Sequence, residues 1–283
     1  MPAPTPRSGG PDPGMRPNRL RELLREGRGS VGTHLHSIWP SVVEVVGHTG
    51  TFDYVELSAE YAPFDLHGLD DFCRAAELVG LGAMIKLDQA PRSFLAQRAI
   101  GSGFQSVLFA DVRTADDARE CVRVTKPDTP HGQGTYGAAD RRHSYYGKAG
   151  GLDYVRALKE TVIVLMIEKA SAVEQLDEIL AVPGIDMIQW GPADYVMSIG
   201  RPGEWYHPDV KAVERTVLEK AMAAGIPPRA EITEPEQAAP YLEMGIKHFC
   251  IGTDLVILHD WLQPRGAALG ALLEQTGEPT TGR

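Results

Sequence analysis

Two acidic residues in the middle of the chain each follow a short apolar run. Glu168 comes directly after VIVLMI, and Asp194 follows MIQW within the sequence Gly191-Pro192-Ala193-Asp194. Runs of this length that are rich in β-branched residues predict buried parallel strands, and the segment between them can form the crossover helix. The carboxyl ends of parallel strands are where α/β folds keep their chemistry, so we expect both carboxylates to take part in a reaction.

A second group of reactive side chains lies in residues 126–151, a segment without hydrophobic periodicity. It contains Arg141, Arg142 and His143 among several glycines. A loop of this length inside a compact domain is uncommon unless it is functional, so we interpret the segment as an active-site loop or lid. Arg141 and Arg142 are expected to bind a substrate carboxylate, and a solvated surface loop is the alternative.

The pattern of the whole chain predicts the scaffold that positions these side chains. Eight short apolar strand signals alternate with helical segments, from SVGTHLH near the start to HFCIG near the end. Such alternation predicts parallel pairing, and eight repeats favour a single (β/α)8 TIM barrel over a doubly wound sheet. No GxGxxG or Walker loop joins a predicted strand to a following helix, which disfavours nucleotide binding. We assign residues 19–276 to the barrel with its C-terminal helices, residues 1–18 to a disordered tail and residues 277–283 to a frayed tail.

The composition restricts the class of partner. The formal net charge at pH 7 is −10, which disfavours a nucleic-acid or anionic-membrane surface. No stretch is apolar enough to predict a membrane span, and the N-terminus lacks the apolar core of a signal peptide. Cys73, Cys121 and Cys250 are far apart and form no CxxC pair, so we expect neither disulfides nor a zinc knuckle. These features predict a cytoplasmic enzyme.

Three segments carry a resemblance to a known family. AEYAPFD, the run from MIEKASAVEQ to GPADYVMSIG, and the closing HFCIGTDLVIL resemble the HpcH/HpaI family of metal-dependent aldolases, which cleave 4-hydroxy-2-oxo acids to pyruvate and an aldehyde. The similarity covers residues 20–262. It implies a (β/α)8 barrel, a small 2-oxo acid or related carboxylate as substrate, and a homohexamer arranged as a trimer of dimers with an exchanged C-terminal helix.

The resemblance gives the acidic residues specific roles. Glu168 and Asp194 match the two carboxylates of the family that bind the metal ion, here Mg²⁺, Mn²⁺ or Co²⁺. Oxygen ligands suit such an ion, which polarises the keto group and stabilises the enolate formed when the carbon–carbon bond breaks. Glu60 matches a glutamate that helps to hold the metal-bound water network. The alternative is that these are ordinary acidic residues at strand ends.

The chain departs from the family at four positions around this site. Tyr61 replaces the histidine that relays a proton, and a phenol is a poor base near pH 7, so Tyr61 is expected to donate a hydrogen bond, to act as an acid or simply to pack. Lys86 replaces an arginine and is expected to offset developing negative charge. Met166 replaces a glutamine and Ser58 an aspartate. These changes predict a substrate or reaction that differs from that of ordinary relatives.

Other residues are candidates for the missing functions. His34, at the end of the first strand, and His143, in the long loop, are each a candidate base, although a single histidine is often a structural residue. Gly191, Pro192 and Ala193 are expected to shape a turn that brings backbone amides near a substrate carboxylate.

Several functions remain open at this point. The favoured function is metal-dependent aldol cleavage. The same metal-enolate site could serve decarboxylation, condensation or a hydro-lyase step, and Lys86 or Lys169 could form a Schiff base. A non-catalytic ligand-binding barrel is the alternative from another class.

Overall fold

The computed structural model describes residues 16–275, except residues 131, 142, 143, 145, 146 and 148 and the side chain of Gln133. Residues 1–15 and 276–283, which include most of the two predicted tails, lie outside the described residues. Residues 16–18 do not belong to a disordered tail, because the buried Asn18 side chain donates from Nδ2 to Gln105 O (2.7 Å) and Glu160 O (3.0 Å). The ordered domain therefore includes residues before 19.

Eight parallel strands close into a barrel, which confirms the predicted (β/α)8 architecture. In chain order they are β1 Ser30–Leu35, β2 Tyr54–Ser58, β3 Gly82–Leu87, β4 Ser106–Val112, β5 Val162–Ile167, β6 Met187–Trp190, β7 Pro228–Ile232 and β8 His248–Thr253. Their order around the barrel, β1-β8-β7-β6-β5-β4-β3-β2, closes on itself through parallel pairs. Side chains fill the interior and helices cover the outside, so the strands are buried on both faces.

The helices follow the strands as the sequence pattern predicts. They are α1 Arg19–Arg25, α2 Pro40–His48, α3 Leu66–Leu78, α4 Arg92–Ser102, α5 Ala115–Thr125, α6 Leu152–Lys159, α7 Ala170–Glu174, α8 Leu176–Leu180, α9 Pro192–Ser198, α10 Pro208–Ala223, α11 Ala239–Glu243 and α12 Asp254–Gln275, with a 3₁₀ turn at Pro235–Ala238. The helical stretch between β7 and β8 is thus divided between this turn and α11. None of the helices in the described part of the chain is long and apolar enough to cross a membrane.

Local sequence signals determine where several helices begin. A capping box begins α5: Thr114 Oγ1 accepts from Asp117 N at 3.1 Å, and the Asp117 carboxylate accepts from Thr114 N at 3.0 Å. This capping box satisfies amides that have no partner inside the helix. Pro192 and Pro208 begin α9 and α10, where a fixed φ and a missing N–H are tolerated. The three cysteines are buried and unpaired, as expected.

The described part of residues 126–151 packs against the outside of the barrel. It forms a short hairpin from Asp128–Thr129 and Gly132–Gln133. The buried Tyr136 follows, and its hydroxyl lies 3.0 Å from Gln97 O in α4 and 2.7 Å from Ala139 O. The segment is therefore anchored by its own hydrogen bonds.

The C-terminal helix exposes many large apolar side chains. The two helical segments predicted from the sequence join into one helix, α12, which contains Pro264 and has no buried residue. Its exposed apolar side chains are Leu255, Val256, Ile257, Leu258, Trp261, Leu262, Leu269, Leu272 and Leu273. Contiguous apolar surface of this extent is typical of an interface between chains.

Candidate active site

One cavity of about 1000 Å³ opens at the carboxyl ends of the barrel strands. Parallel barrels place active sites at this end because every strand delivers its last side chains and its following loop there. The cavity wall includes most of the residues that the sequence predicted for the site, namely His34, Tyr61, Lys86, Met166, Glu168, Gly191, Pro192, Ala193 and Asp194. Glu60 and Arg141 are not among its lining residues.

Glu168 is a buried carboxylate held by the backbone of a neighbouring strand. It follows β5 directly, is 3% exposed, and its Oε1 accepts from Asp111 N at 2.6 Å. Asp111 has φ 55°, in the left-handed region, beside an irregular pairing between Phe109 and Val112. The irregularity at the end of β4 thus directs the Asp111 amide towards Glu168.

Two neighbours fit closely around this carboxylate. A Cβ atom on Gly191 would lie 2.5 Å from Glu168 Oε2 and 2.9 Å from Met166 Cε, so this position requires glycine. Gly191 N donates to Ile167 O at 3.1 Å, and Pro192 has no N–H. The predicted turn can therefore offer a ligand only the amides of Ala193 and Asp194.

Asp194 lies in the first turn of α9, where a negative charge is favourable. Its Oδ1 accepts from Lys169 Nζ at 2.6 Å, and the same Nζ lies 2.6 Å from Asp111 Oδ1. The sequence suggested Lys169 only as a possible Schiff-base residue. The structure shows that it joins the ends of β4, β5 and β6 through two carboxylates.

Glu168 and Asp194 together fit a divalent cation. Burial raises the pKa of Glu168 to about 7 although the Asp111 amide and Lys86 oppose the rise, and the carboxylates of Asp194 and Asp111 add repulsion. A divalent ion would relieve this repulsion, because hard cations take carboxylate oxygens as ligands. The donor set is therefore suited to such an ion.

Lys86 supplies a buried positive charge beside these acids. Its Nζ lies 2.7 Å from Glu60 Oε2 and 2.9 Å from Tyr61 OH. Burial alone would lower the pKa of Lys86, but Tyr61 and Glu60 outweigh it and hold the pKa above its usual value. Burial also raises the pKa of Tyr61. Lys86 is thus a permanent cation, and Tyr61 retains its proton.

His34 is buried among acids. Its Nδ1 lies 3.0 Å from Glu56 Oε1 and 3.2 Å from Ser58 Oγ, and its Nε2 lies 3.5 Å from Glu231 Oε2. Burial lowers the pKa of His34, but the Cys250 sulfur and the carboxylates of Glu56 and Glu231 hold it well above the usual value. An imidazolium donates protons and does not accept them, so the neighbouring acids favour a donor role for His34 over the predicted role as a base.

A buried ion pair behind His34 was missed by the sequence analysis. Arg229 and Glu56 are both fully buried and in contact, and Arg229 Nε donates to Gln189 Oε1 at 2.7 Å. Charged residues inside the apolar strands YVELS and PRAEI were the available signal. His34, Glu56 and Cys250 bring possible metal ligands within 4.8 Å of one another, but the Arg229 cation would repel a divalent ion there.

The position of Arg141 in the structure contradicts its predicted role in substrate binding. Arg141 pairs with Glu77 at 2.8 Å and donates from Nε to Ser102 O at 3.0 Å, on the outside of the barrel. No described residue of segment 126–151 lines the cavity, so its described part is not an active-site lid. The predicted sites at Arg142 and His143 lie outside the described residues.

Comparison with known proteins gives consistent similarities. A family model described as HpcH/HpaI aldolase/citrate lyase matches residues 31–258. A 2-keto-3-deoxy-L-rhamnonate aldolase of Escherichia coli is 29% identical over 249 residues, which cover 88% of this chain and 91% of that protein.

Two solved structures place the fold among related barrels. An HpcH/HpaI aldolase/citrate lyase family protein from Burkholderia cenocepacia J2315 has a TM-score of 0.79 at 26% identity, covering 90% of this chain and 99% of that one. A citrate lyase β subunit from M. tuberculosis, in complex with oxaloacetate and magnesium, has a TM-score of 0.53 at 15% identity, covering 81% of this chain and 94% of that one.

Proposed function

The chain belongs to the HpcH/HpaI aldolase/citrate lyase family, and on this premise we propose how its cavity breaks a carbon–carbon bond. The protein is a divalent-metal-dependent lyase of the aldolase type that acts on small 2-oxo acids. We propose a 4-hydroxy-2-oxo acid as substrate, and pyruvate and an aldehyde as products. We propose Mg²⁺ as the ion, with Mn²⁺ and Co²⁺ as alternatives, since oxygen-only ligand sets suit these hard cations.

The observation that carries the proposal is the meeting of Glu168 and Asp194 in one cavity with the Lys86 ammonium. The two carboxylates would hold the ion. When bound, the ion supplies a Lewis acid that withdraws electrons from the keto group of the substrate. Lys86 offsets the negative charge that develops on the keto oxygen, because its charge is fixed by Glu60 and Tyr61.

The proton balance assigns further roles. As the bond between C3 and C4 breaks, its electron pair goes to C3, the C4 hydroxyl loses a proton to become the aldehyde, and C3 takes up a proton to give pyruvate. Tyr61 and His34 hold their protons, so either can serve as a donor but not as the base. We propose that Glu60, which contacts Lys86, accepts the hydroxyl proton.

The substrate carboxylate would meet the turn at Gly191, Pro192 and Ala193. This turn lines the cavity. It can offer the amides of Ala193 and Asp194, because Gly191 N already donates to Ile167 O and Pro192 has no N–H. Met166 would close the apolar side of this position, since it is buried against Gly191. A Schiff base is disfavoured, because Lys86 and Lys169 are ammonium groups paired with carboxylates.

The departures at Tyr61 and Lys86 support a second candidate, in which the same site catalyses decarboxylation or condensation. One experiment separates the two. Purified protein is supplied with Mg²⁺, Mn²⁺ or Co²⁺ and a panel of 2-oxo acids, and mass spectrometry distinguishes release of pyruvate and an aldehyde from loss of carbon dioxide.

Removal of a single metal-binding carboxylate tests the catalytic proposal against the non-catalytic alternative. Glu168→Gln should abolish metal binding in calorimetry and turnover together. Glu178→Gln, which removes an exposed carboxylate on α8, should leave both intact. Metal binding that survives Glu168→Gln would refute the assignment. A tight complex with metal and a 2-oxo acid but no turnover of any panel member would favour the ligand-binding barrel.

We also propose that the protein is a homohexamer built as a trimer of dimers through an exchanged α12. The apolar side chains exposed along α12 support this arrangement. Removal of residues 254–283 should reduce the mass measured by light scattering. Unchanged mass after this deletion would exclude the exchange of α12.

A cytoplasmic location is proposed from the thiols. Cys73, Cys121 and Cys250 are buried and unpaired, which is compatible with a reducing compartment. Fractionation of cells that express the full chain would test the location.

A further inference from the structure

Glu231 and His34 form a second polar wall of the cavity. The proposed cleavage at the metal site does not require this wall. Lys86 and Glu168 belong to the β3 and β5 ends of the barrel, whereas Glu231 and His34 stand on β7 and β1, on either side of β8. All four side chains line the same cavity. A substrate whose 2-oxo acid group meets Glu168 and Lys86 can therefore extend towards Glu231 and His34.

Glu231 is the accessible member of this wall. Its side chain is 50% exposed, within the cavity, whereas that of His34 is 6% exposed. Glu231 Oε2 accepts from Gln189 Nε2 at 3.0 Å and lies 3.5 Å from His34 Nε2. Partial desolvation opposes ionisation of Glu231, but the positive charge of His34 lowers the pKa of Glu231 to about 2. The wall thus presents a fixed, ionised acceptor.

The charges of this wall balance within the protein. Two cations, His34 and Arg229, face two anions, Glu56 and Glu231. Arg229 contacts Glu56, and His34 lies between Glu56 and Glu231. A ligand carboxylate would meet the exposed Glu231 charge and be repelled. A ligand ammonium would meet the buried cations of His34 and Arg229 behind Glu231. A neutral group therefore fits this wall best.

The neutral group must also satisfy polar atoms. A purely alkyl chain would cover the ionised Glu231 carboxylate and remove it from water without a replacement hydrogen bond, which is unfavourable. A hydroxyl can donate to Glu231 and has lone pairs free to accept from a neighbouring donor. His34 Nε2 is such a donor, because it is buried without a hydrogen-bond partner among the described residues.

We propose that Glu231 and His34 form a subsite for a hydroxyl group on the aldehyde fragment of the substrate. The subsite rests on the proposed aldolase function and specifies its substrate class: 4-hydroxy-2-oxo acids whose aldehyde portion carries a further hydroxyl. Glu231 accepts a hydrogen bond from this hydroxyl, His34 Nε2 donates one to it, and Gln189 holds the Glu231 carboxylate in place.

The test uses the reverse reaction, addition of pyruvate to an aldehyde by the full-length metal-loaded protein. Glycolaldehyde and propanal have similar size and differ in a hydroxyl against a methyl group. The wild type should favour glycolaldehyde by about tenfold or more in kcat/KM, as expected for a hydrogen bond to a charged group. Glu231→Leu should bring the ratio to about one or reverse it.

Two further variants distinguish loss of the hydrogen bond to the hydroxyl from a general folding defect. Glu231→Gln retains the shape and a weaker acceptor, so its ratio should lie between those of wild type and Glu231→Leu. Glu178→Gln removes an exposed carboxylate outside the cavity and should keep the wild-type ratio.

Exchange of the C3 protons of pyruvate with solvent deuterium reports the enolate step without any aldehyde. Exchange by the wild type together with an unchanged ratio in Glu231→Leu, or a wild-type preference for propanal, overturns the subsite alone. Failure of the wild type to catalyse exchange with any of the three metals overturns the aldolase function, and the subsite that rests on it falls as well.

Discussion

Lys169 and Asp194 form an ion pair in which Nζ lies 2.6 Å from Oδ1, and the same Nζ lies 2.6 Å from Asp111 Oδ1. Asp111 N in turn donates to Glu168 Oε1. The two proposed metal ligands are therefore linked through Asp111 and Lys169. This link fixes the direction of each carboxylate before an ion binds, which is the usual task of groups behind metal ligands.

Lys169→Met tests the link. The substitution removes the ammonium while keeping an unbranched side chain, so Asp194 should lose its fixed direction. We expect the metal dissociation constant, measured by calorimetry, to rise about tenfold or more. Lys220→Met is the matched control, because Lys220 pairs with Asp177 at 2.8 Å on the protein surface. Tighter binding by Lys169→Met would instead mean that the lysine competes with the ion.

Lys86→Met should separate catalysis from metal binding. The variant loses the charge that offsets negative charge on the keto oxygen, so kcat should fall by about 10²- to 10³-fold. Metal affinity should change much less, since Lys86 contacts Glu60 and Tyr61 and neither proposed metal ligand. Steady-state kinetics and calorimetry on the same preparation check both expectations. Equal losses of affinity and kcat would show that Lys86 acts mainly on the metal site.

Arg229→Met should destabilise the barrel itself. Arg229 and Glu56 are fully buried, and removal of one partner leaves the other charge uncompensated, so the free energy of unfolding should fall by about 3–5 kcal/mol. Urea denaturation measures the change. Arg201→Met, which removes an exposed ion-paired arginine, should have a far smaller effect.

A double variant identifies the cause of that loss. Adding Glu56→Gln to Arg229→Met removes the uncompensated charge, so part of the lost stability should return. A double variant less stable than Arg229→Met alone would point to packing as the cause.

His248 should make stability depend on pH. Burial, followed by repulsion from Lys247, lowers the pKa of His248 to about 4, and its Nδ1 lies 2.9 Å from Ser30 Oγ. The unfolded chain, with a pKa near 6.5, binds a proton first as the pH falls. Stability is therefore lost between about pH 6.5 and 4, by at most about 3 kcal/mol.

Denaturation of wild type and His248→Gln at several pH values isolates this contribution. The variant should show a smaller loss of stability between pH 6.5 and 4, because glutamine does not titrate. Parallel curves for the two proteins would contradict the assignment.

The sequence predicted most of the candidate site because that part depends on strand ends. Glu168, Lys86 and Asp194 each follow or end an apolar run, and a parallel barrel brings all strand ends to one rim. The same reasoning failed for Arg141. Its loop was interpreted from composition alone, and composition does not reveal that the guanidinium pairs with Glu77 on α3.

The sequence by itself determined the barrel and the rim at which Glu168 and Asp194 lie, because these follow from periodicity and chain order. Only the tertiary structure decided how the side chains are charged and what they contact. The raised pKa of His34, the link from Lys169 to Asp111 and Asp194, and the buried pair of Arg229 and Glu56 join residues on different strands. Burial and through-space attraction act over a few ångströms, whatever the separation along the chain.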